Sequence, residues 1–425
     1  MTDLRRVAAA RPLLATGVAA LATLVVAAAA RFVPTLVRGA VRPSPCFVTH
    51  YTLTRLLTSG VDLARTYDDA WFEAQTARVT PGVTDINVNP PTTALLLLPV
   101  AGLDYTGARI AWTVFSAAVL AATVAFVLKE TGLAGPWALG FVALTLLYQP
   151  LAADFAVANV YTVLLGLTVL AWHGWRTRNE PLLGVALAAM LAIKLAGGLL
   201  WVLVFAERRW RAAAWGAATA AAVAGLSLPW LGAAAWRADA AALLDAAERP
   251  ERAVTAYQSV PGLFHHLFSS DPLWNPAPVA HAPLLAAAAP WLVLAALVGA
   301  GVAAARRCPL DDRVFAAFVV AGVVASPLAL DYTYTLLLLP AAVALAWVRE
   351  RRSPLALATL VAAVVPIAAD LPYRSPRLAA GGWALLAYPK LAGALLLSAG
   401  LLAAAWYRAR IPEALRPLPA GQPAG

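Results

Sequence analysis

Long apolar stretches separated by short basic connections set the pattern of this chain. Runs long enough to cross a bilayer, about 17 to 25 residues, begin near Pro12, Ala108, Ala134, Val157, Arg211, Pro283, Arg313, Tyr334, Pro354 and Ala380. This predicts an all-α polytopic membrane protein. Lys and Arg gather in cytoplasmic loops. Here Arg5 with Arg6, Lys129, Arg176 with Arg178, Arg208 with Arg209 and Arg211, Arg306 with Arg307, Arg349 with Arg351 and Arg352, and Arg408 with Arg410 all fall at alternate connections. One segment breaks the alternation: "PLLGVALAAMLAIKLAGGLLWVLVFA" is a single apolar run with basic residues beyond both of its ends. A single crossing would put those ends on opposite sides, so parity predicts two short half-helices that turn near Lys194 and Gly197-Gly198. The count then comes to about twelve transmembrane helices with both termini inside.

Two connections are long, residues 31–108 and 232–282, and both are expected outside. The first carries Arg31, Arg38, Arg42, Arg55, Arg65 and Arg78, which long loops tolerate on that side. Within it "NPPTTALLLLPVAGL" is apolar but too short to span, and Pro90, Pro91 and Pro99 interrupt it. A helix lying in the interface or dipping into the bilayer is expected there. The first apolar run, residues 12–30, exceeds a signal-peptide core of about 7 to 15 residues and reads as a retained helix. The integral membrane domain therefore covers residues 1–410, and the Pro-rich residues 411–425 read as a disordered cytoplasmic tail.

Composition agrees: 61% of residues are hydrophobic, 13% are charged and mean hydropathy is +0.73, where soluble domains carry about a quarter charged residues. The net charge of +10 belongs to membrane topology rather than to nucleic acid. Cys46 and Cys308 form no metal-ligand or CxxC spacing.

The remaining polar residues sort to one side. "SGVDLARTYDDAWFEAQ" places Asp62, Asp68, Asp69 and Glu73 in the first outer loop, with Asp85, Asn87 and Asn89 following. Asp154 and Asn159 fall at the outer turn after the third helix, Lys194 at the hairpin tip, Gln258, His265 and His266 in the second outer loop, and Asp331 with Tyr332 at the outer end of the ninth helix. An ionisable group at membrane depth costs a few kcal/mol, so Lys194 reads as functional, its partner an anion brought by a ligand. A polytopic transporter would share the helix count and the buried Lys, but its binding groups lie near the midplane, often between inverted repeats. Polar groups gathered at one face favour an enzyme.

"DLARTYDDA" resembles the D-hydrophobic-x-x-Y-Y-x-x-A stretch of glycosyltransferase family 87, with Asp62 on the family's Asp and Tyr67 on a Tyr position. "NPPTTALLLLP", "ALAAMLAIKLAGGLLWVLVFAERRWRA", "YQSVPGLFHHLF" and "SPLALDYTYTLLLLP" are similar to further blocks of that family, in the same order. Asn89 stands where a Tyr is usual, "ANVY" replaces G-Q-x-N, and Tyr332-Thr333 replaces a paired His. The resemblance implies a GT-C fold and a metal-independent, inverting transfer from a polyprenyl-phosphate sugar at the extracytoplasmic face of the plasma membrane. Mannose is the implied sugar, arabinofuranose the nearest alternative, and the acceptor an envelope glycolipid or lipoglycan. An inactive family member is the reading that the departures keep open. On this basis Asp62 is the expected base, and Lys194 holds the donor phosphate with His265 and His266. Tyr67, Asn89, Asn159, Gln258, Asp331 and Tyr332 are expected to face substrate. Asp62 and Lys194 should then oppose each other across one outward-opening pocket.

Overall fold

In a bilayer every backbone N–H and C=O must be satisfied within the protein, so apolar runs of this kind form helices. The computed structural model describes residues 2–246 and 253–409, and among them it holds sixteen α-helices joined by short 3₁₀ turns and no strand. In order they are α1 (Thr2–Val41), α2 (Pro45–Thr58), α3 (Asp69–Val79), α4 (Tyr105–Thr131), α5 (Pro136–Leu147), α6 (Gln149–Val157), α7 (Tyr161–Arg176) and α8 (Glu180–Lys194). Then come α9 (Gly198–Ala206), α10 (Trp210–Ala246), α11 (Val260–Phe268), α12 (Pro283–Arg307), α13 (Asp312–Ala325), α14 (Leu338–Arg351), α15 (Pro354–Ala368) and α16 (Pro389–Ala409). The expected tail at 411–425 lies outside the described residues.

Six helical stretches are long and apolar enough to span a membrane, or seven if α5 and α6 form one span bent by 46°. That bend falls at Tyr148, which is extended, just before Pro150, whose missing N–H cannot continue a helix ladder. The twelve helices expected from the sequence are not reached by this measure, because α7, α8, α9, α13 and α15 have 9 to 16 residues each, short of the roughly 20 that span a hydrocarbon core. Nor is the first outer region a plain loop. The first helix runs on to Val41, α2 and α3 follow, and "PPTTALLLLPV" forms two 3₁₀ turns. In the second region α10 continues to Ala246 past a kink at Gly232, where φ is 75° and Pro229 lies just before.

The basic connections meet at one end of the bundle. Arg176 at the end of α7 pairs with Glu130 of α4 at 3.8 Å and with Asp312 of α13 at 3.8 Å. Arg349 of α14 donates to the carbonyl of Gly132, which ends α4. The hairpin is closed here too: Arg209, after α9, pairs with Glu180 at the start of α8 at 2.7 Å, and its guanidinium also donates to the Trp175 carbonyl at 2.8 Å. Both ends of the 180–209 segment thus sit together, as parity requires. Its turn uses Leu195 (φ 50°) and Gly197 (φ 77°) in the left-handed region.

The core lies between the helices rather than against water. Eleven of the 14 residues of α13 are buried, the mark of a helix enclosed on all sides, and Trp175 packs on Phe315 with ring centroids 5.4 Å apart. The α8–α10 contact is backbone-close. A Cβ on Gly184 would strike the Ala212 carbonyl and come within 2.7 Å of the Gly216 nitrogen, the small-residue packing common between membrane helices.

Candidate active site

At the end of the bundle opposite the Glu180–Arg209 clasp, α8 stops at Lys194 and leaves its last carbonyls without helical partners. Thr92 and Thr93, in the 3₁₀ turn Pro91–Leu95, take two of them: the Thr92 hydroxyl donates to the Ala192 carbonyl, and that of Thr93 to Ile193 at 2.9 Å. This docking brings Asn89 to Lys194. The Lys194 Nζ donates to Asn89 Oδ1 at 2.8 Å and lies 5.8 Å from the centre of the Tyr161 ring. Asn89 is itself fixed by its neighbours. Its N–H donates to Asn87 Oδ1 at 3.0 Å, its carbonyl accepts from the Tyr67 hydroxyl at 2.9 Å, and Asn87 donates to Thr66 Oγ1 at 3.0 Å. Tyr67, Asn89 and Lys194, picked out separately in the sequence, form one cluster.

Lys194 and Asn89 line a cavity of about 950 Å³, together with His50, Asp85, Asp331 and Tyr332, a size within the range for ligand sites. Asp85 accepts from the Thr49 hydroxyl at 2.7 Å and from the Ile86 N–H at 3.1 Å. Burial pushes its carboxyl above the ordinary value, against the pull of the Thr49 and Ile86 hydrogen bonds and the Lys194 charge. Asp331 is far more heavily engaged. It accepts from the Tyr373 hydroxyl, from Arg374 Nη2 at 3.0 Å and from Gln149 Nε2 at 3.4 Å, with Lys390 Nζ at 3.9 Å. Tyr332 lies against Tyr161, ring centroids 5.3 Å apart. The wall is apolar along α9 and α13, where Leu199, Leu200, Phe318, Val319 and Val323 line it.

Six of the anticipated residues do not line this cavity: Tyr67 supports it through Asn89, Asn159 lies beside His50, and four stand elsewhere. Asp62 is exposed and is not among the cavity's lining; its carboxylate accepts from the Ala64 N–H at 2.9 Å and caps the 3₁₀ turn Leu63–Tyr67. The pocket shared by Asp62 and Lys194 is therefore not what the structure shows; the loop carboxylate facing that cavity is Asp85. Gln258 is wholly buried, its amide donating to the Ala387 and Thr255 carbonyls and accepting from the Lys390 N–H. His266 has both ring nitrogens engaged, with the Tyr388 hydroxyl at 3.1 Å and the Ala379 carbonyl at 2.9 Å, and burial lowers its pKa. His265 bonds Ser269 at 3.1 Å. Neither histidine lines the cavity. Asn159 is buried beside it, with Oδ1 accepting from the Val160 N–H at 2.8 Å.

Sequence reasoning passed over His50, Arg374 and Lys390. His50 stands as a lone histidine amid threonines in "FVTHYTLTRLL", a segment whose polar side chains hide a helix. Arg374 and Lys390 carry no local signal, since the partners that define them, Asp331 and Gln149, are 43 and 241 positions away.

Searches of curated proteins and of solved structures found no match. The model of glycosyltransferase family 87 matches residues 87–330, a stretch that begins at the Asn87–Asn89 cradle and takes in Lys194, Gln258 and both histidines. Covering more than half of the 425 residues, on a helical membrane scaffold whose matched part builds the cation end of the cavity, this match makes the chain a member of glycosyltransferase family 87.

Proposed function

We propose that the protein transfers a sugar, mannose in the first instance and arabinofuranose as the alternative, from a polyprenyl-phosphate donor to an envelope glycolipid or lipoglycan, with inversion and without a metal. The single observation that carries this is the Lys194 ammonium, held by Asn89 in a cavity that is polar at Lys194 and Asp85 and apolar along α9 and α13. An ammonium binds phosphate as a point charge, and an aliphatic wall suits a prenyl chain.

In this reading the acceptor hydroxyl attacks the anomeric carbon while Asp85 takes its proton. The anomeric carbon–oxygen bond breaks, and the lipid phosphate leaves as an anion against Lys194, needing no general acid. A carboxyl pushed upward by burial is a better proton acceptor near neutrality than an ordinary one. A second reading keeps Asp62 as the base. It is favoured by the resemblance of "DLARTYDDA" and by the turn that Asp62 caps, whose Thr66 and Tyr67 hold Asn87 and Asn89. Short helices α7, α8, α9, α13 and α15 complete the twelve-helix topology in this reading, with the cavity on the extracytoplasmic face of the plasma membrane and the arginine-rich end inside.

Turnover of synthetic polyprenyl-phosphate mannose by purified protein tests the reading. Asp85→Asn is expected to lose activity and Asp62→Asn to keep it; the reverse selects the second reading. Facilitated movement of the lipid without transfer would mean a transporter, and neither transfer nor movement a catalytically inactive member.

A further inference from the structure

We infer, on the transferase reading, that His50 and Asn159 form a subsite that grips a hydroxyl of the donor sugar. His50 lies on α2 with 2% of its surface exposed and lines the cavity, and the one side chain that engages its ring is Asn159, in a contact short of a well-formed hydrogen bond. Asn159, equally buried at 2%, lies beside the imidazole. Its Oδ1 is committed to the Val160 N–H at 2.8 Å, which leaves Nδ2 without a well-formed bond. The imidazole at the cavity wall and the Asn159 amide behind it thus face each other without a full hydrogen bond.

A buried donor or acceptor left unpaired destabilises the fold, so such a group is retained where something else completes it. A neutral imidazole presents one N–H and one lone pair. A phosphate oxygen has no proton to give to that lone pair, whereas a sugar hydroxyl accepts from the Asn159 amide and donates to the imidazole at once. The phosphate already has its cation in Lys194. Position agrees with this role: Thr49, one residue before His50, holds Asp85 at 2.7 Å, which places the subsite beside the proposed base. His50 is a specificity residue, reading the sugar rather than the lipid.

The test uses full-length protein, a synthetic polyprenyl-phosphate mannose and the matching sugarless polyprenyl phosphate. His50→Leu should weaken binding of the mannosylated lipid on the order of tenfold, one to two hydrogen bonds' worth, and leave the sugarless lipid unchanged. Its melting temperature without ligand should equal or exceed that of wild type, since incompletely paired atoms are removed. His50→Gln, which keeps a donor and an acceptor, should restore part of the affinity for the mannosylated lipid. Equal affinity of wild type and His50→Leu for the mannosylated lipid overturns the inference. So does a loss of both lipids together with a lower melting temperature, which marks a structural residue. Wild type that binds neither lipid defeats the donor reading instead. The subsite is then judged on octyl mannoside, whose binding must still fall in His50→Leu.

Discussion

Lys194 and Asn89, 105 positions apart, are joined by one hydrogen bond of 2.8 Å. The bond aims the ammonium, and the Tyr67 hydroxyl on the Asn89 carbonyl aims the asparagine. Removing a charge-assisted contact costs about 1.5–3 kcal/mol, so Lys194→Gln should lower kcat/KM about a hundredfold. Asn89→Ala keeps the charge and loses only its orientation; a loss of about tenfold is expected. Steady-state kinetics with polyprenyl-phosphate mannose check both. Equal losses in the two variants would mean that Asn89 itself contacts substrate.

The pH dependence of kcat/KM should identify the base. In the proposed mechanism Asp85 acts ionised, and burial raises its pKa. Activity therefore falls as pH drops through that raised value, at a pH above the ordinary carboxylate range of about 3.9. Asp85→Asn should abolish this acid limb along with most of the rate, whereas Asp62→Asn leaves the limb in place. A limb that survives in Asp85→Asn assigns the base elsewhere.

Breaking the clasp that closes the α8–α9 hairpin should be costly. The Arg209 side chain is 7% exposed and that of Glu180 19%, and removing one partner of a buried pair costs about 3–5 kcal/mol. Arg209→Ala should lower the thermal midpoint in detergent by several degrees. Glu180→Gln combined with Arg209→Met should lower it less, because no lone charge stays behind.

Gly184 allows α8 to lie on α10. Gly184→Leu would drive a side chain into the Ala212 carbonyl and the Gly216 backbone, separating the helices or tilting α8. Since Lys194 ends the same helix, activity should fall with stability. Overpacking costs typically about 1–3 kcal/mol, and Gly184→Ala should do less harm than Gly184→Leu. Melting curves and turnover measured on the same preparations check this.

What the sequence disclosed follows the physics of each feature. The hairpin was legible because charge parity is a global constraint: basic residues beyond both ends of one apolar run left no other solution, and the Glu180–Arg209 pair bears it out. Lys194 was legible because charge in an apolar run is rare. Which loop acid lines the cavity was not, since Asp62 and Asp85 are both loop acids and only folding turns one of them into it. Gln258 and His266 were expected to meet substrate and donor phosphate from the second outer loop; their partners Ala387, Ala379 and Tyr388 come from more than 100 positions later. Helix α2 was hidden by Thr, His and Arg, the polar side chains that a cavity wall needs.

The threonine stitches from Thr92 and Thr93 to the carbonyls of Ala192 and Ile193 also set an order of assembly during biosynthesis. When the ribosome has made the Asn87–Asn89 cradle, its docking surface is still about a hundred codons away. Until α8 has entered the membrane, the nascent chain has neither the ammonium nor the carbonyls that seat it. The pocket ripens late, and polypeptides aborted before that point would be inserted without its cationic end.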